Sequence, residues 1–274
     1  MKTLLLEIGT EEIPAGSIDP ALAALASMLA QKLGEARIGH GPIRTYGTPR
    51  RLAATVDHLA PRQQRLTSEV LGPPRKVAFD ADGRPTMAAL KFAEKVGQPV
   101  ERLKTAATAK GEYLAATVTD PGMTTAALLK RLLPEIILTL PFPKSMRWAE
   151  LPIFFARPIH SLLVLYGQTR IDIELGNVRS GRASFGHRFV HPRRVRVAEP
   201  SDYVEALRAA SVMVDAAERR KRIAEDADQA AASLGGTVLA DEELLAVVTH
   251  LVEYPAVAAG RCSEAFLELP PEVL

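Results

Sequence analysis

The residues with the most chemical potential are cations set beside rings and glycines on three stretches of the chain. The first is Thr48-Pro49-Arg50-Arg51. The second is Lys144-Ser145-Met146-Arg147-Trp148. The third, residues 182–194, holds Arg182, Phe185, Gly186, His187, Arg188, Phe189, His191, Arg193 and Arg194. Guanidinium and ammonium groups neutralise phosphates and release counterions, and planar side chains stack on exposed bases. Gly181 and Gly186 let backbone N–H groups approach a phosphate closely. Taken singly, Trp148, Phe185 or Phe189 is more plainly a core residue. The arginines are harder to explain that way. Six Arg and no acid lie between Glu174 and Glu199, and residues 42–68 hold five Arg against one acid, Asp57. That asymmetry points to an anionic partner. Residues 241–274 reverse it, with seven acids against Arg261 alone, and suit a different contact.

Other chemistries are poorly supplied. The sequence has no G-x-x-x-x-G-K phosphate loop and no G-x-G-x-x-G after a strand. A serine nucleophile elbow is also missing. His187 and His191 have helical metal-ligand spacing, but Gly186 before them and Pro192 after them argue against a helix. Cys262 is the only cysteine, which rules out an intrachain disulfide and a cysteine-rich zinc site. Glu11 or Glu12 with His160 or His187 could do acid–base work, although nothing in their spacing brings them together. The expectation is no catalytic constellation and no metal site in this chain.

A core must position these groups, and 47% hydrophobic with 24% charged residues suits a globular protein that has one. Lys2 and the leucines at 4–6 imitate the start of a signal peptide, but Glu7 interrupts them, and no apolar run approaches membrane-spanning length. The cytoplasm is the expected compartment. Residues 4–8 read as a buried strand ended by Gly9. An acidic turn at Glu11 and Glu12 then leads to a helix opened by Asp19 or Pro20 and running to about Leu33. Strands at 43–46 and 52–56 flank the first basic stretch. Residues 62–71 read as a polar loop ending in Gly72-Pro73-Pro74, and 77–79 as a short strand before a turn at 80–83. A helix from Pro85-Thr86 to Val96 and a strand at 112–118 follow. Thr124 caps the next helix, which Pro134 divides from a second at 135–140. Strands at 159–166, 171–175 and 195–197 precede helices at 200–210, 215–234 and 241–251. The pattern predicts an α+β protein with mixed or antiparallel sheets and packed helices, more helical toward the C-terminus. Proline density places a division near 140, giving modules at 1–140 and 141–274. The apolar ending at 267–274 suggests a piece of a longer chain.

Eight stretches carry a resemblance. In order they are LLLEIGTEEIPA at 4–15, TPRRL at 48–52, Gly72-Pro73 followed by AFDADGRPT at 78–86, KGEYL at 110–114, LPFPKSMRW at 140–148, RPIH at 157–160, GHRF at 186–189 and LVEYP at 251–255. Together they resemble the beta subunit of the bacterial two-subunit glycyl-tRNA synthetase, over residues 4 to 274. The resemblance implies the N-terminal portion of a longer subunit, with HD-like and anticodon-binding domains beyond it. It implies a partner alpha subunit carrying the class II site where ATP, with Mg, activates glycine. It further implies binding of tRNA(Gly), an α2β2 heterotetramer, and no cofactor bound by this chain. Arg50, Arg51, Lys144, Arg147, Trp148, Arg182, His187, Arg188, Arg193 and Arg194 then become surfaces for tRNA or for the alpha subunit. Glu11 and Glu12 are expected to anchor those arginines or meet the partner subunit. Ser161 departs from the family, which more usually has an aromatic residue after the histidine. The competing expectations are a stand-alone hydrolase or editing-type enzyme built on the Glu and His groups, and a purely structural interaction module.

Overall fold

The computed structural model describes residues 1–148, 150–260 and 263–270. Cys262 and the last four residues of the apolar ending lie outside them. In chain order the elements are β1 (Lys2–Thr10), α1 (Ala15–Glu35), β2 (Ile43–Thr48), β3 (Arg51–Leu59), β4 (Leu66–Pro74), α2 (Arg75–Ala78), α3 (Met87–Val96), β5 (Lys104–Thr108) and β6 (Gly111–Asp120). Next come α4 (Thr125–Leu138), β7 (Met146–Arg147), β8 (Phe154–Phe155), β9 (Ile159–Tyr166), β10 (Thr169–Arg170), β11 (Glu174–Leu175), β12 (Val178–Gly181), β13 (Ala183–Phe185) and β14 (Arg194–Arg196). The last helices are α5 (Tyr203–Arg208), α6 (Ala216–Ser233) and α7 (Glu242–Thr249). The fold is α+β, with antiparallel and mixed sheets, as its sequence pattern predicts.

Contacts group the chain into two compact units, residues 1–61 with 125–274, and residues 62–124. This differs from a division at 140, because β1 pairs antiparallel with β3 on one side and with β9 on the other. One sheet therefore takes strands from both sides of residue 140.

In the larger unit the strand order is β11-β12-β9-β1-β3-β2, with β10 also on β9. The β12–β9 pair is parallel. Successive side chains of a strand alternate between faces. Leu4, Leu6 and Ile8 of β1 join a core cluster with Leu25 and Leu29 of α1, Leu129 and Leu133 of α4, and Trp148. Leu5 faces the other way, into a cluster with Ala53, Leu163, Tyr203, Leu207 and Val214. Covered on both faces, β1 carries consecutive leucines at 4–6 rather than an alternating pattern. Two helices depart from their sequence punctuation. α1 begins at Ala15 behind Pro14, with Pro20 inside it. α4 continues through Pro134 instead of dividing there. A proline removes one helical hydrogen bond. Leu133, Ile136 and Ile137 are buried on both sides of Pro134 and hold the helix together.

The smaller unit is an antiparallel sheet ordered β4-β6-β5. Phe92 of α3, Ala78 of α2, and Leu114 and Ala116 of β6 form its core. The polar stretch expected as a loop over 62–71 supplies most of β4, an edge strand with a largely exposed face. Its two prolines fall at the strand end, where no ladder donor is needed. Residues 77–79, expected as a strand, instead finish α2 and form a single bridge from Phe79 to Pro85. In the larger unit, the Thr125 N–H donates to the Pro61 carbonyl at 3.0 Å, so the two points from which residues 62–124 spring are hydrogen-bonded neighbours.

Candidate nucleic-acid interface

Strand register assembles the site. Thr48, Arg51, Gly9 and Ser161 stand side by side across β2, β3, β1 and β9, on one face of the sheet. The adjacent row on that face is Tyr46, Ala53, Glu7 and Leu163. A Cβ on Gly9 would overlap Ser161 Oγ, so glycine is what admits the serine side chain to this row.

Beneath the surface lies a buried polar network. Glu7 accepts from Ser184 Oγ at 2.6 and 2.8 Å and from the Tyr203 hydroxyl at 2.7 Å. Arg51 reaches Glu253 at 3.1 Å and donates to the Phe185 carbonyl at 3.1 Å. Thr48 Oγ1 donates to the same Glu253 carboxylate at 2.7 Å. Arg219 is fully buried and donates to the carbonyls of Thr249, Met213 and Gly47 at 2.7, 2.5 and 2.8 Å. Burial opposes the charge on Arg51, but Glu253 and then Glu7 outweigh it, so its pKa is raised. Burial, then the Glu7 charge, pushes the Tyr203 phenol well up, which keeps it a neutral donor. Burial lowers the Arg219 pKa to about 10, with Glu253 and Asp215 acting against it. These residues fasten β13, α5, α6 and residues 249–253 to the sheet. Unpaired, each buried charge would be costly.

Above this network a cleft of about 400 Å³ is lined by Arg50, Arg188, His160, Ser161, Phe185 and Glu11, among others. Arg188 lies 3.6 Å from Glu11 and 3.6 Å from Glu12, and Arg50 lies 3.8 Å from Glu11. The two carboxylates thus anchor arginines. The Arg188 contacts, long and between half-exposed side chains, are weak ion pairs. Among the described residues, neither Arg50 Nε nor Ser161 Oγ has a hydrogen-bond partner, although both atoms are buried. The Phe185 ring meets His160 edge-on at 6.3 Å and carries the Arg194 guanidinium at 5.6 Å. Arg182 and Arg194 line an adjoining pocket with the same His160 and Phe185. The Arg182 side chain donates to the Gln168 carbonyl.

Residues 186–193 form a closed turn. His187 N–H donates to the Ala210 carbonyl, and Gly186 N–H to the Arg193 carbonyl, both at 2.9 Å. His187 Nδ1 accepts from the backbone N–H groups of Phe189 at 3.3 Å and Val190 at 3.2 Å. Its ring therefore shapes the turn. Arg188, Arg193 and Arg194 are exposed.

The structure brings the first and third basic stretches together and keeps the second apart. Arg51 belongs to the buried network, while Arg50, Arg188 and Arg194 line the clefts. Lys144 is exposed on the segment leading into β7, and Arg147 donates to the Leu151 and Glu150 carbonyls at 3.1 Å each. Trp148 is buried in the core on the opposite face of the sheet. Glu7, Ser184, Tyr203, Arg219 and Glu253 escape sequence reasoning. Glu7 alone leaves a trace, as a carboxylate inside a leucine run. Ser161 Oγ makes no hydrogen bond to His160, and Glu11 and Glu12 lie against arginines. Among the described residues, no three His, Cys, Asp or Glu side chains gather to hold a metal.

Fold and site together define an α+β protein that presents cations and rings over one face of a central sheet. Residues 4–274 match the family described as glycyl-tRNA synthetase beta subunit, and the chain belongs to that family. It is 50% identical over its whole length to the glycine–tRNA ligase beta subunit of Desulfatibacillum aliphaticivorans, covering 40% of that protein. The corresponding protein of Syntrophus aciditrophicus is 46% identical over 99% of this chain and 39% of its own length. That of Myxococcus xanthus is 44% identical over 100% of this chain and 39% of its own. The chain thus spans about two-fifths of the length of the curated relatives it matches. Among the described residues, no helix is long and apolar enough to cross a membrane.

Proposed function

We propose that this chain contributes tRNA(Gly) binding and subunit assembly to a glycine–tRNA ligase. A catalytic alpha subunit supplies the ATP- and Mg-dependent activation of glycine, within a cytoplasmic α2β2 complex. The chain itself binds no cofactor. The observation that carries the reading is the convergence of Arg50, Arg182, Arg188 and Arg194 on clefts lined by His160 and Phe185. Guanidinium groups match phosphates, and rings match bases. Phosphate contacts of this kind set affinity and register rather than identity.

Two measurements test it. Glycylation of tRNA(Gly) should require both this protein and a supplied alpha subunit. Activity of either alone would sink the shared-function reading. Arg188→Ala should weaken tRNA binding and reduce the slope of log affinity against log salt by about one. Arg147→Ala should do the same if the second basic stretch also meets the backbone. Unchanged slopes in both variants would remove direct phosphate contact from the proposal. A hydrolase reading gains no support, since its carboxylates lie against arginines.

A further inference from the structure

The 186–193 turn ends in an apolar tip. Phe189 is 82% exposed and Val190 68% exposed. Burying a phenylalanine side chain is worth about 1.5–3 kcal/mol, so a ring left in water forgoes a large gain. This tip is held out rather than slack, because His187 Nδ1 accepts both of its backbone N–H groups. The His191 N–H closes the turn on the His187 carbonyl at 2.9 Å. Beside the ring lies a pocket of about 160 Å³, walled by Pro49, Phe189, Leu251 and Tyr254, with Arg50 and Arg188 at its edge. Leu251 and Tyr254 are exposed as well. Glu12 and Glu253 also border the pocket, but Glu12 lies against Arg188 and Glu253 is bound by Arg51.

We infer that Phe189 is a stacking platform for one unpaired base of the tRNA, which lies between its ring and Tyr254 while Arg188 and Arg193 take the adjoining phosphates. The inference rests on the tRNA reading above. Charge complementarity selects the occupant. An exposed ring on a turn that also carries the exposed Arg188 and Arg193 matches a nucleotide, which carries a planar apolar base and an anion within one unit.

The test uses the complex of this protein with the alpha subunit. Affinity for tRNA(Gly) is measured at several salt concentrations for the wild type, Phe189→Ala, Phe189→Trp and Arg188→Ala, with assembly followed by gel filtration. Stacking on an aromatic side chain predicts that Phe189→Ala weakens binding by about tenfold or more while leaving the salt slope unchanged. Phe189→Trp restores affinity, and its fluorescence is quenched by tRNA beyond the wild-type change from Trp148. Arg188→Ala lowers the slope. Melting temperatures of the Phe189 variants stay at the wild-type value because the side chain is exposed. Wild-type affinity in Phe189→Ala overturns the platform and leaves the tRNA reading standing. Loss of the alpha subunit from Phe189→Ala with tRNA affinity retained also overturns it, and assigns the tip to a protein contact. Failure of the wild-type complex to bind tRNA overturns the tRNA reading itself, and the platform with it.

Discussion

At the scale of single residues, Gly9 and Ser161 are one unit. They oppose each other across β1 and β9, and the serine side chain fills the space a Cβ on Gly9 would need. Gly9→Ala should destabilise the protein by about 1–3 kcal/mol through overpacking. Ser161→Ala alone should cost little, since among the described residues its buried hydroxyl has no partner. The double variant should recover much of the loss, giving a favourable coupling in chemical denaturation. Strict additivity would show that the clash is relieved elsewhere. The sequence displays Gly9 as the end of a strand and Ser161 as a departure from the family pattern. It cannot pair them, because the register that does so joins residues about 150 apart. The same limit hides the rest of the network. Glu7 stands out in its leucine run, but its partners Ser184 and Tyr203 carry no local mark. Arg219 sits among Glu218, Arg220, Lys221 and Arg222 and reads as solvated, yet it is the one drawn fully inside.

At the scale of elements, the starts of the last two helices are plain in the sequence. Asp215 accepts from the N–H groups of Ala217 and Glu218 at the start of α6, and Asp241 from Leu244 at the start of α7. The sequence leads one to expect helices starting at 215 and 241, since a carboxylate beside unpaired N–H groups is a strong local signal. No such signal marks β4, because an edge strand with a polar face carries no apolar alternation over 62–71. The helices are also tied to one another. Arg208 of α5 grips Glu218 of α6 through both terminal nitrogens, at 2.6 Å for Nη2, and also pairs with Glu205. The Arg208 hydrogen bonds, more than its charge, hold the Glu218 carboxyl below the usual carboxylate range, with burial acting against them. A lowered folded-state pKa means stability present above the ordinary carboxylate pKa and lost as pH falls through the lowered value. Glu218→Gln should therefore melt below wild type at pH 7, with the gap closing in acid below the ordinary carboxylate range. A gap of equal size at every pH would show that packing rather than charge joins these helices.

At the scale of the whole molecule, the division into units is the feature least visible in sequence. Prolines 141 and 143 advertise a boundary, but contacts place residues 62–124 as the separate unit. The Pro61–Thr125 hydrogen bond shows why such an insertion can be borne, since the larger unit closes its own backbone across the gap. Replacing residues 62–124 with a short Gly-Ser linker should leave the larger unit folding cooperatively, with a melting temperature close to that of the full chain. The far-ultraviolet circular dichroism should lose only the signal of the excised unit. A broad, uncooperative transition would mean that the two units depend on each other for stability. The insertion holds ten Lys and Arg against seven Asp and Glu, a formal charge of +3 in a chain whose total is +2. The basic loops of the larger unit are thus balanced by acids elsewhere in that unit, and the match to an anion is local.

The position of β1 at the centre of the sheet has a consequence for how the protein is made. β1 is synthesised before its partners, yet one of its two neighbours, β9, emerges about 150 residues later. At roughly 5–20 residues per second, that leaves an apolar strand with one open edge for about eight to thirty seconds on the ribosome. An open apolar edge is a template for pairing with other chains. Nascent chains of this protein should therefore be most prone to aggregate, and to recruit chaperones, during the interval before β9 leaves the exit tunnel.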